Sequence, residues 1–94
     1  MNYFGAKLRQ LREDQGMLLR QMAAQMDIDT ALLSKIERGD RRANRELVEK
    51  AADVLAHECN DLLVLWLADK IEDVIDNEPM AAKAIDLITK EAKK

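Results

Sequence analysis

The chain is poor in aromatic residues, proline, glycine and cysteine. Its 94 residues include one Trp, one Tyr and one Phe, so any interior must be built from Leu, Ile, Val, Met and Ala. The single cysteine, Cys59, excludes an internal disulfide framework and fits a reducing compartment, so a cytoplasmic location is expected. No apolar run approaches the ~18 residues of a membrane span. The longest, Leu62 to Ala68, has seven. The N-terminus lacks the basic region and apolar stretch of a signal peptide. There is no low-complexity stretch, repeat or Gly/Ser linker.

Charge is abundant, with 15 basic and 18 acidic side chains and a formal net charge of -3. Charged residues at 35% and hydrophobic ones at 48% are too balanced for a disordered chain, and the length holds one domain. Taken whole, the negative sum argues against nucleic acid as a partner. The charge is unevenly spread, however. Residues 1–46 carry nine basic against seven acidic side chains, or +2, and residues 47–94 six against eleven, or -5. All seven arginines fall in the first half. Arginine forks match phosphates and guanine edges better than lysine does.

Helical periodicity runs through the chain and no strand pattern is present. Phe4, Leu8 and Leu11 form one stripe, stopped at Gly16. Leu19, Met22, Ala23 and Met26 form a second, ending at Asp27-Ile28-Asp29. Asp29 is placed to cap a third helix, Thr30 to Arg38, closed by Gly39. After a polar loop, Asn44 is placed to cap a fourth helix that buries Val48, Ala51, Ala52 and Leu55. A longer fifth helix is expected from about Cys59 to Asp76. Pro79 is expected to open a sixth, running to about Ala92.

The second and third helices, joined by a three-residue turn, are the informative pair. Ala23 is small enough for close packing. Met22, Met26, Ile28, Leu33 and Ile36 serve as anchors. At 100° per residue, Leu32, Leu33 and Ile36 fall on one side of the third helix, and Ala31, Ser34, Lys35 and Arg38 on the other. The second face is small, polar and basic, and fits the major groove of double-stranded DNA, with Thr30 at its leading end. An ordinary solvated helical hairpin has the same periodicity.

The segment LLSKIERGDRR, residues 32–42, resembles the Ser-x-Ile-Glu-x-Gly signature of the Cro and lambda-repressor-like (Xre) helix-turn-helix family. LRQLREDQG, residues 8–16, resembles that family's first helix, and the likeness runs without gaps from Phe4 to Leu63. It implies an all-α, five-helix domain over residues 1–63. Residues 64–94 would be a helical extension, comprising a lengthened fifth helix and a sixth, packed on the same domain. It implies a structural ion pair between Arg12 and Glu37. It implies base reading by Thr30, Ala31, Ser34 and Lys35, and backbone contacts from Arg38, Arg41, Arg42 and Arg45. Where the family carries Ser or Thr and then Gln, this chain has Leu18 and Leu19, so that phosphate role is moved to Arg20. Asp27 replaces the turn glycine, and Asn44 the loop proline.

The fifth helix is apolar on two sides. Leu63, Leu67, Ile71, Val74 and Ile75 make one stripe, and Leu62, Leu65 and Trp66 another. The sixth helix offers Ala81, Ala84, Ile85 and Ile88 as cover for one of them. The other is expected to form a homodimer interface, with Leu62, Leu65 and Trp66 as its contacts. In the alternative, the sixth helix folds back and both stripes are buried in a monomer. His57 and Cys59 resemble neither a zinc site nor a catalytic pair, and Glu72 to Glu78 lack a calcium-loop pattern. No phosphate-binding glycine loop, metal site or cofactor is expected, and no enzymatic activity. The expected function is a sequence-specific transcriptional regulator, a repressor acting as a homodimer on palindromic DNA. The alternative is a protein-interaction module, such as an antitoxin or a restriction–modification controller, whose C-terminal helices bind a partner.

Overall fold

Six helices succeed one another in the computed structural model, which describes residues 1–92; Lys93 and Lys94, the end of the expected extension, lie outside the described residues. They are α1 (Tyr3–Asp14), α2 (Leu19–Met26), α3 (Thr30–Arg38), α4 (Arg45–Leu55), α5 (Cys59–Ile75) and α6 (Ala81–Ala92). No strand occurs among the described residues. The all-α expectation therefore holds.

Local chemistry sets the helix ends. Asn44 Oδ1 accepts the Leu47 amide at 2.8 Å and starts α4. Asn2 does the same for α1, accepting from Gly5 at 3.2 Å. Asp29 occupies the cap position of α3, but its side chain makes no capping bond. Leu18 has no oxygen with which to cap α2, so Gln21 reaches back and accepts the Leu18 amide at 2.8 Å. Asp27 takes the left-handed conformation, with φ 57°, and lets the chain turn without glycine. Gly39 ends α3 at φ 81°. Pro79 does not open α6, which begins two residues later, after a turn through Asn77 at φ 62°.

The core is aliphatic apart from Phe4 and Trp66. Leu8, Met22, Met26, Leu33, Val48, Leu55 and Leu62 are its fully buried large side chains. Ala23 is buried where α2 meets its neighbours. Gly5 lets α1 lie directly against the end of α3, because a Cβ there would collide with the Ile36 carbonyl oxygen.

α5 runs continuously to Ile75, within one residue of the expected end; the burial of its faces is what departs from expectation. Its inner face is Leu62, Trp66 and Asp69, all buried within the same subunit. Leu65 is half-buried against that core. Leu62 and Trp66 are therefore not available as a dimer surface, since they already fill the subunit's own interior. The outward stripe is Val64, Leu67, Ile71 and Val74, and Val74 is 78% exposed. α6 covers neither face of α5, and none of its residues is buried. The radius of gyration, 15.4 Å, exceeds the roughly 12 Å of a compact chain of this length.

Candidate nucleic-acid interface

α3 is held from behind. Leu33 and Ile36 anchor α3 in the core. Arg12 from α1 grips its last turn, with Nε donating to Glu37 Oε2 at 2.8 Å and Nη2 to Oε1 at 3.0 Å. Nη1 of the same guanidinium donates to the Met17 carbonyl oxygen at 2.9 Å, tying in the α1–α2 link. The two side chains are only 12% and 5% exposed. The bond to Glu37 raises the Arg12 pKa above its ordinary value. Asn2 Nδ2 adds a bond to the Glu37 carbonyl oxygen at 2.8 Å. Three donor groups, two from Arg12 and one from Asn2, thus fix the C-terminal end of α3.

On the opposite side of α3, Thr30, Ala31, Lys35 and Arg38 are exposed and Ser34 is half-buried. The structure gathers these five residues on one helix face. No large apolar side chain intrudes on it. Lys35 has no ion-pair partner among the described residues, and neither have Arg20 nor Arg41. Arg38 is held loosely by Asp40 at 3.0 Å, and Arg45 by Glu49 at 3.7 Å, both pairs exposed. The loop from Gly39 to Asn44 leads from α3 into α4. It brings Arg41, and Arg45 just beyond it, near that helix along the chain.

Arg42 differs from the expectation that set it against a nucleic-acid backbone. Its guanidinium turns to α5, with Nε donating to Asp73 Oδ2 and Nη2 to Oδ1, each at 2.8 Å. Nη1 lies 3.6 Å from Asp69 Oδ2. The pairing with Asp73 raises the Arg42 pKa and lowers that of Asp73. Arg42 is thus committed within the subunit.

Asp69 is the residue that pattern reading missed. It is buried, and its two oxygens accept the Tyr3 and Phe4 amides at 2.8 and 3.0 Å. It therefore satisfies two orphan donors at the start of α1. Trp66 Nε1 donates to the Ala43 carbonyl oxygen at 2.7 Å. Lys70 sits 4.4 Å from the Trp66 ring. Together, Asp69, Trp66 and Asp73 fasten α5 to α1 and to the α3–α4 loop. The signal was present in the sequence. Asp69 follows Leu62 and Trp66 by seven and three residues, and so shares their buried face.

Two short helices with a left-handed turn, the second braced from behind and polar in front, define a helix-turn-helix. A helix-turn-helix domain model matches residues 4–58, and the chain belongs to that family. Among solved structures, it is similar to two crystal structures of the clp gene regulator ClgR from Corynebacterium glutamicum. One is 29% identical with a TM-score of 0.63, covering 72% of this chain and 88% of that one. The other is 25% identical with a TM-score of 0.64, covering 97% of this chain and 86% of that one. Among curated protein sequences, none matches this chain.

Proposed function

We propose that the protein is a sequence-specific, double-stranded DNA-binding transcriptional regulator of the Xre type. The observation that carries this reading is the exposed face of α3, small and basic, on a helix braced by the buried Arg12–Glu37 pair. Such a face enters the major groove, where Lys35 can donate to guanine O6 and N7 and Ala31 can meet a thymine methyl. Thr30 and Ser34 complete the base-reading set. Arg20, Arg38, Arg41 and Arg45 supply backbone contacts. The similarity to a gene regulator supports the same assignment.

In this reading the protein acts as a homodimeric repressor. The support is the apolar surface that one subunit leaves uncovered. Val64, Leu67, Ile71 and Val74 are spaced by three, four and three residues, the seam spacing of paired helices. α6 has twelve residues and buries none of them. A helix that short is marginal in water unless its apolar face is covered. A second copy supplies the cover with the same residues, and the two reading helices then address half-sites about 34 Å apart. The same surface favours one alternative, a module that binds another protein there, as an antitoxin or a restriction–modification controller would. Catalysis has no part in either reading.

Selection of bound duplexes from a random pool tests the proposal. Enrichment of an inverted repeat is the expected result. A pool that stays random, together with a stable complex with another protein, would replace it with the alternative.

A further inference from the structure

We propose that Asp73 sets the sequence-independent part of the protein's DNA affinity. It holds Arg42 in an intramolecular pair and so withholds one cation of the α3–α4 loop from DNA phosphates. This inference rests on the DNA-binding reading above.

Three arginines fall within five residues of the loop and the start of α4: Arg41, Arg42 and Arg45. Arg41 is exposed, and Arg45 has only its loose partner one turn along α4. Arg42 alone is drawn to another element, by two charge-assisted bonds of 2.8 Å to Asp73 and a second carboxylate, Asp69, at 3.6 Å. A phosphate must displace this fork-to-fork pair before it can use Arg42. Phosphate contacts carry no sequence information, so withholding one lowers affinity for every sequence alike. It leaves base reading by α3 untouched, so specific and non-specific binding weaken by the same factor and the overall affinity is what the pair sets.

The two carboxylates divide the work. Asp69 is buried and binds the amides that start α1, so it belongs to the fold. The Arg42–Asp73 pair is solvent-exposed, at 34% and 50%, and such pairs contribute little to stability. Asp73 can therefore be changed without dismantling the domain.

The test measures fluorescence anisotropy of a mixed-sequence duplex against the full chain over a salt series. Asp73→Asn is expected to tighten binding severalfold at low salt and to steepen the slope of log K against log salt by about 0.9, one added phosphate contact. In an Arg42→Gln background, Asp73→Asn should change neither quantity. Asp76→Asn removes the same charge from the end of α5 without touching Arg42, and should leave the slope unchanged. The proposal is overturned if Asp73→Asn leaves the slope unaltered, if the shift persists without Arg42, or if Asp76→Asn reproduces it. Weaker binding at an unchanged melting temperature would also overturn it, since Asp73 would then orient Arg42 toward DNA. A wild-type chain that shows no salt-dependent binding would sink the DNA-binding reading itself, and this inference with it.

Discussion

At the scale of single residues, the fold hangs on a few polar side chains set in an aliphatic interior. The Arg12–Glu37 pair is nearly dry, and a dry charge left alone is costly. Arg12→Ala should therefore destabilise the domain by about 3 kcal/mol, read as a lowered denaturant midpoint with an unchanged slope. A loss within about 0.5 kcal/mol would show the pair to be ornamental. This pair was legible in the sequence through the family resemblance, as was the left-handed turn at Asp27. The cap on α3 was legible only in position. Asp29 sits where a capping residue should, but its carboxylate makes no bond to the helix. Composition marks which residue types favour a cap, and only the local backbone decides whether the oxygen reaches the amide.

At the scale of elements, α5 is a strap. It passes beneath the domain with Leu62, Trp66 and Asp69 inward, and binds the start of α1 and the α3–α4 loop. Its two apolar stripes were visible in the sequence, but not which of them faced inward. The polar anchors settle that, and they lie at Trp66 and Asp69, beyond the minimal family domain. The strap carries a pH dependence. Asp73 is held below its usual carboxylate range, first by the hydrogen bond from Arg42, and Glu13 likewise by Arg9. The folded state then binds these protons less readily than the unfolded chain does. Their contribution is present above the ordinary carboxylate pKa of about 4 and is lost as pH falls through the lowered values. The melting temperature should therefore fall more steeply below about pH 4 in the wild type than in Asp73→Asn. Identical curves for the two would mean the pair adds nothing to folding.

At the scale of the whole molecule, two surfaces are of opposite character. Lys35 and Arg38 lie on α3, Arg41 in the loop that follows it, and Arg20 and Arg45 at the starts of α2 and α4. The acidic excess lies on the later helices. A net charge of -3 therefore conceals a basic face, and the loop arginine turned toward α5 trims that face further. The exposed stripes of α5 and α6 form the second surface. Ile71→Glu should convert a dimer of twice 10.7 kDa into a monomer in light scattering, with the helical content of the core retained. A mass near 10.7 kDa for the wild type would contradict the dimer directly. α6 was legible as a helix but not as an uncovered one. Its amphipathic pattern states that a partner is needed and is silent on whether that partner belongs to the same chain.

In the proposed complex the exposed face of α3 reads bases while Arg41 and Arg45 hold the backbone. This arrangement is tested most directly by comparing Lys35→Ala with Arg41→Ala on the best selected duplex and on its single-base variants. Lys35→Ala should cost about 1–3 kcal/mol and relax preference at one position of each half-site. Arg41→Ala should weaken all duplexes about equally and shallow the salt slope by roughly 1. A Lys35→Ala protein with unchanged affinity and unchanged preference would contradict the account.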